Sequence, residues 1–246
     1  MKRFLGRVIL TISAMAAQAM AESVDLSFRS GTRQTDVIEL FTSEGCSSCP
    51  PADAWLGELV NHPDLFTKVI PIAFHVDYWN WLGWQDRFAR TDYSDRQYAY
   101  VKTKHLSQAY TPGILINSRE WKAWFAGKRQ WQPNEHEPGV LSLDIDQGVA
   151  TLNFASEQSL RGHVAILGMG LESSVRNGEN RGKTLRHDFV VLQVQQHTGQ
   201  STWQFRLPDL STLETDHGAA IVAWVSTTDD PAIIQATGGY LTTKPR

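Results

Sequence analysis

The two cysteines of this chain, Cys46 and Cys49, stand three positions apart within Phe41-Thr42-Ser43-Glu44-Gly45-Cys46-Ser47-Ser48-Cys49-Pro50-Pro51, and what flanks them narrows the fold. Before them, Asp36-Val37-Ile38-Glu39-Leu40-Phe41 is a short apolar run with β-branched residues that reads as a buried strand. After them, Trp55, Leu56, Leu59 and Val60 recur at helical spacing over residues 52–60. Strand, turn and helix put Cys46 at a helix N-terminus, where unpaired N–H groups and the positive end of the macrodipole favour the reactive thiolate. Cys46 is therefore expected to be the exposed, acidic sulfur and Cys49 the shielded one. A disulfide closing so short a loop constrains the unfolded chain little, so the pair reads as chemistry, with an inert short-range disulfide as the alternative.

Lys2, Arg3 and Arg7 precede an apolar run over residues 8–17 and then Ala19-Met20-Ala21, the pattern of a secretory signal peptide ending at residue 21. The run is shorter than the ~18 apolar residues a membrane span needs. A periplasmic or secreted protein, soluble after cleavage, is expected. Losing those three cations takes the formal charge from −3 to −6. With no basic run, nucleic acid is not an expected partner.

Lys68-Val69-Ile70-Pro71-Ile72-Ala73-Phe74-His75-Val76 is almost continuously apolar and reads as a second buried strand, parallel to the first across a helical crossover. His75 and Asp77 alternate onto one face at its end, either as supporting groups of a site or as hydrogen-bonded structural residues. Tyr78-Trp79-Asn80-Trp81-Leu82-Gly83-Trp84 follows. It is either a loop pinned to the core or an aromatic wall in which Trp79 and Trp81 receive a substrate. A helix is expected from an N-cap at Thr91 or Asp92 to about residue 104, with Asp92 and Arg96 paired at i,i+4. Thr111-Pro112 then leads into the apolar strand Gly113-Ile114-Leu115-Ile116.

Cys-x-x-Cys at a helix start, a second strand, a helix and Thr-Pro entering a third strand together resemble the thioredoxin fold. The resemblance implies that Pro112 is cis beside Cys46, with Thr111 and neighbouring backbone groups presented to an extended substrate. More narrowly, residues 39–53, His75-Val76-Asp77-Tyr78-Trp79, the Thr-Pro strand and the stretch from Gly178 to His187 resemble an uncharacterised family of bacterial secreted proteins. That family is described as a domain of unknown function with a thioredoxin-like fold. The likeness covers most of the chain beyond residue 21 and implies a fold and a compartment, not a reaction. Two positions depart from ordinary thioredoxins. Leu40 stands where they carry a buried acid, leaving Glu39 on the opposite face, and Ser47-Ser48 replaces the Gly-Pro dipeptide.

Residues 119–127 suit a terminal strand or a short helix, and 133–139 read as a polar linker. Beyond it, strand-like runs at 140–145, 149–154, 163–171, 184–195, 202–207 and 219–226 suggest an antiparallel β-sandwich. The expected fold class is thus α/β: a thioredoxin-like domain over 22–139 followed by a β-sandwich domain over 140–246. The sandwich is expected to pack on the first domain near the tryptophan stretch. The loop 176–183 is either a plain hairpin turn or folds back over Cys46, bringing Asn180 or Arg181 to the substrate, with His187 either in that cluster or in the sandwich.

The expected activity is exported thiol–disulfide exchange. Cys46 attacks, Cys49 resolves, Pro112 and Thr111 orient the substrate, and Glu44, His75, Asp77 and Asn180 are candidate supporting groups. The substrate would be a protein or small-molecule thiol or disulfide, with an unidentified redox partner. No motif for a cofactor or a metal cage is present. The alternative is a protein without turnover, holding Cu(I) on the two thiolates with His75 as a third ligand, or docking a partner.

Overall fold

In the computed structural model, which describes residues 26–213, 215 and 218–241, most of the apolar runs become strands. The expected signal peptide, 1–21, lies outside the described residues. The first half forms β1 (Leu26–Arg29), β2 (Asp36–Thr42), α1 (Pro50–Glu58), β3 (Val69–His75), α2 (Thr91–Lys102), β4 (Gly113–Ile116) and β5 (Arg119–Glu120). The second forms β6 (Leu141–Asp146), β7 (Val149–Phe154), β8 (Leu160–Gly168), β9 (Leu171–Ser174), β10 (Thr184–His187), β11 (Val190–Gly199), β12 (Thr202–Arg206), β13 (Ala219–Thr227) and β14 (Ile233–Tyr240). No helix among the described residues is long and apolar enough to cross a membrane.

β2 and β3 are buried along their whole length, which is why they read as largely apolar runs, and they pair in parallel across α1. β4 pairs antiparallel with the other side of β2, and β5 closes that edge. The far edge of β3 does not end the sheet. β11 joins it in parallel at Val190 opposite Ala73, and β8, β13 and β14 continue antiparallel. One eight-stranded mixed sheet results, in the order β14-β13-β8-β11-β3-β2-β4-β5.

This corrects the expected fold class. The described residues form fourteen strands in sheets of eight, four and two strands with only two α-helices, not a thioredoxin-like α/β domain followed by a β-sandwich. The physical reason is the edge of β3: its unpaired backbone groups and apolar flanks are satisfied by strands from the second half. The stretch 119–127 supplies only β5 and a 3-10 turn.

Leu141, Leu143 and Ile145, alternating with Ser142 and Asp144, put one face of β6 inward. Leu143, Leu152, Trp203 and Phe205 of the four-stranded sheet β1-β6-β7-β12 pack against Val164, Ile166, Ile221 and Val225 of the large sheet. Trp203 approaches so closely that a Cβ on Gly162 would lie 2.6 Å from its ring. β1, from the first half, is the partner of β6, so this layer too draws on both halves.

On the opposite face α2 packs through Tyr93, Gln97 and Tyr100. Its N-cap is Arg90, and the Thr91 and Ser94 hydroxyls donate instead to Asp77 at 2.6 and 2.5 Å. The Asp92–Arg96 pair does not form, because Arg96 turns inward to the fully buried Glu39 at 2.7 Å, with Tyr100 donating to the same carboxylate at 2.6 Å.

Candidate functional site

β2 delivers Ser43 to Cys46 into a tight turn in which the Cys46 N–H donates to the Ser43 carbonyl. Cys49 is the N-cap of α1, and Pro50 and Pro51 follow it. Proline suits the first helical turn because its missing N–H would be unpaired there. Here two donors are missing, and the next two, from Ala52 and Asp53, both go to the Cys49 carbonyl. The expected fan of free N–H groups around Cys46 is therefore absent, leaving the macrodipole and the Ser48 hydroxyl, whose oxygen lies 3.3 Å from the Cys46 sulfur.

Cys46 and Cys49 form a disulfide. The expectation of an exposed Cys46 is corrected: the residue is 1% accessible and Cys49 0%, while Ser47 and Ser48 form the outer surface. The expectation of a thioredoxin-like protein with a redox-active disulfide is corrected as well, since the fold is β-rich and this bond does not by itself imply redox turnover. A buried short-range disulfide serves structure equally well.

Thr111–Pro112 is cis, and since Gly113 lies opposite Phe41, Pro112 enters β4 at the end of the sheet from which β2 leads to the cysteines. Trp79 bridges the two: its indole donates to Thr111 Oγ1 at 2.8 Å, and its Cβ would be 3.1 Å from a Cβ on Gly45. Trp81 does not join this wall, being 79% exposed. Asp77 is occupied in pinning the start of α2.

Behind the cysteines lies a buried compartment of ionisable groups. His75, the last residue of β3, holds Asp86 through Nδ1 at 2.7 Å. Asp86 also accepts the Glu44 and Phe88 N–H groups, both at 2.9 Å. Glu44 accepts the Trp84 indole N–H at 2.7 Å and sits 3.4 Å from His187 Nε2. His187 stands edge-to-face on His75 with ring centroids 5.0 Å apart. Asp53, on the first turn of α1, is buried within the field of both histidines. Thr42 Oγ1, Glu44 Oε1, His75 Nε2 and both His187 nitrogens are buried without a hydrogen-bond partner among the described residues.

The charges follow from these contacts. Burial pushes the Asp53 carboxyl above its ordinary range, although His187 and His75 oppose it. For Asp86 burial acts the same way but is outweighed by His75 and the two N–H donors, so its carboxyl lies below the ordinary range. Glu44 is likewise lowered against its burial, chiefly by His187. Burial would depress His75, yet the adjacent Asp86 holds it above the ordinary histidine value.

Glu44 and His75 were candidates from sequence, and His187 falls in the compartment rather than the sandwich. Sequence reading missed Asp53 and Asp86. Asp53 carried a usable signal, since it follows Cys49 by one helical turn and so shares its face. Asp86 sits in a polar loop with no periodicity. Among the described residues no group of three or more His, Cys, Asp and Glu is arranged to hold a metal ion, and His75, the third ligand considered for Cu(I), is engaged by Asp86.

The loop 176–183 folds back over the cysteines. Asn180, fully buried, donates its side-chain amide to the carbonyls of Glu44 and Cys46, each at 2.9 Å, and is itself held by Lys183 at 2.9 Å. The Glu179 carboxylate accepts the Ser47 N–H at 3.0 Å. Gly178, at φ 73°, lies against Trp84. This loop, not the four-stranded layer, is what the second half brings to the tryptophan stretch. Asn180→Ala leaves two carbonyls without their donor, a local cost of about 1–3 kcal/mol. The disulfide of that variant is expected to be reduced by dithiothreitol about tenfold faster than in the parent, as ~1.4 kcal/mol of easier opening implies; an unchanged rate would show that Asn180 does not hold the turn closed.

The sequence matches the family model described as protein of unknown function (DUF1223) over residues 37–226. No curated protein matches it. Among solved structures, protein AGR_C_4864 from Agrobacterium tumefaciens is similar at 25% identity with a TM-score of 0.61, over 86% of this chain and 96% of that one. HBP35 of Porphyromonas gingivalis shares the fold at 14% identity with a TM-score of 0.52, over 87% of this chain and 77% of that one. The first likeness runs through both halves, in keeping with a sheet built from both. With a family match reaching from β2 into β13, the chain belongs to the DUF1223 family of proteins of unknown function.

Proposed function

We propose that the Cys46–Cys49 pair carries out thiol–disulfide exchange in an oxidising compartment outside the cytosol. What carries this reading is the compartment of Glu44, Asp53, His75, Asp86 and His187 behind the cysteines. Buried ionisable groups with polar atoms lacking protein partners are costly, and such clusters gather where protons must be moved. The signal-like residues 1–21 and the disulfide itself favour an exported protein.

In the reduced protein the Cys46 thiolate attacks one sulfur of a substrate disulfide, breaking that bond and forming a mixed disulfide while the other substrate sulfur leaves as a thiolate. Cys49, once deprotonated, attacks the Cys46 sulfur, expels the second substrate thiolate and regenerates Cys46–Cys49. The two protons lost by the cysteines end on the two substrate thiolates. Asp53, held toward its protonated form, supplies a group that gives a proton to a departing thiolate and takes one back as Cys49 ionises. Trp79, hydrogen-bonded to Thr111, lies against the cysteine turn at Gly45.

The test is covalent trapping with a fluorescent peptide disulfide. Reduced Cys49→Ser is expected to accumulate a stable mixed disulfide through Cys46, and Cys46→Ser is expected to give none. Trapping in neither variant would remove the proposal. The reduction potential of the parent then gives the direction of electron flow, between an oxidant near about −120 mV and a reductant near about −270 mV.

A further inference from the structure

A cleft lies on the face of the large sheet away from the four-stranded layer, and none of the residues placed at the cysteine site lines it. On β8 and β13 the residues Val164, Ile166, Ile221 and Val225 go under that layer, while Arg161, His163, Trp224 and Ser226 line the cleft. α2 forms the facing wall. The volume is about 440 Å³, within the ~300–1,000 Å³ of small-molecule sites.

The floor is made of buried rings and polar groups, one of which is left with a free donor. Trp224 is buried with its indole N–H lacking an acceptor among the described residues. One ring neighbour is His163, stacked at 4.8 Å and 8°; another is the Arg96 guanidinium, 5.2 Å from the ring centroid. The Ser226 hydroxyl donates to the Thr227 carbonyl, so it accepts from His163 Nε2 at 3.0 Å. Burial, together with Arg96 and Arg161, keeps the imidazole neutral, leaving Nδ1 as an acceptor.

The charges of the two walls do not meet. Arg96 is matched by Glu39. Arg161, half-buried on the strand wall, has no partner among the described residues, and Asp92 and Asp95 on α2 and Asp229 in the turn after β13 are exposed and equally unpaired. A ligand with one charge would satisfy one wall and be repelled by the other. We infer that this cleft binds a small apolar zwitterion, a free α-amino acid with an aromatic side chain, its carboxylate on Arg161, its ammonium toward the α2 carboxylates and its ring over Val194.

The probes are L-phenylalanine, which carries both charges, 3-phenylpropionate, which carries the anion alone, and phenethylamine, which carries the cation alone. Titration calorimetry on the full chain is expected to show saturable binding of phenylalanine at least about tenfold tighter than either analogue. Arg161→Gln, a change at a partly exposed strand position, should weaken phenylalanine by about tenfold or more with an unchanged melting curve, and the Cys46→Ser/Cys49→Ser protein should bind it as the parent does. No saturable binding of phenylalanine, an analogue within tenfold of it, or an unaffected Arg161→Gln variant would each overturn the inference.

Discussion

A fragment ending at residue 139 is expected not to fold. Cutting there removes β11, which pairs with β3, and Phe189 just before it, whose carbonyl accepts the Ala73 N–H at 2.8 Å. β3, apolar on both faces, would become a bare edge strand. Phe66 would lose its contacts with Phe189 and Tyr240, and Trp224, Ala220 and Val222 would leave a core they share with Val37, Ile70 and Phe74. β1 would lose β6. Gln235, which receives the Thr35 N–H and donates to the carbonyls of Gly31, Arg33 and Gly139, would go as well. Each fully buried large side chain contributes roughly 1.5–3 kcal/mol, so losing several exceeds the ~5–15 kcal/mol by which a domain is stable. Circular dichroism and proton NMR of residues 26–139 should show no cooperative melt and no dispersed spectrum; a melt within a few degrees of the full chain would refute this. The cysteine turn would in any case be incomplete, because Asn180 closes it from the second half.

Local structure was legible where one pattern dominated. β2, β3 and β4 read as largely apolar runs because each is buried on both faces, and the alternation of Leu141, Leu143 and Ile145 gives the one-sided face of β6. The motif itself prescribes strand, turn and helix, which α1 follows. Nothing in those patterns says what meets the far edge of β3, since a strand's apolarity reports that it is covered and not by which element. That silence is the source of the mistaken fold class. β14 carries a weak strand signal for another reason: two adjacent glycines interrupt it, and the fold needs the second, since a Cβ on Gly239 would run into the Phe28 ring of the overlying layer. In the site, Leu185 and His187 alternate inward along β10, so burial of His187 was readable, but its neighbours His75 and Glu44 are set by tertiary packing.

Asp86→Ala is expected to be the most damaging single substitution in the buried compartment. Asp86 is 2% exposed and at once pairs with His75 and accepts the Glu44 and Phe88 N–H groups. Removing it strands a buried imidazole and two N–H donors, for which breaking a buried ion pair gives about 3–5 kcal/mol. At roughly 2–4 °C per kcal/mol for a chain of this size, the melting temperature should fall by about 6–20 °C. The loss should depend on pH in a defined sense. Asp86 has a lowered folded value, so its contribution is present above the ordinary carboxylate range and disappears as pH falls through the lowered value. His75 has a raised folded value, so its contribution is complete below about pH 6.5 and disappears as pH rises through the raised value. The destabilisation should therefore be greatest between the ordinary carboxylate and histidine ranges, and shrink toward strong acid and, as the raised His75 value is passed, toward alkaline pH. Urea unfolding of parent and variant across that range measures it. A difference below ~1 kcal/mol, or one that does not vary with pH, would mean that the His75–Asp86 pair is not charged in the folded protein. Because the Glu44 N–H would lose its acceptor beside the cysteine turn, the variant's disulfide should also be reduced faster than the parent's at every pH where both are folded.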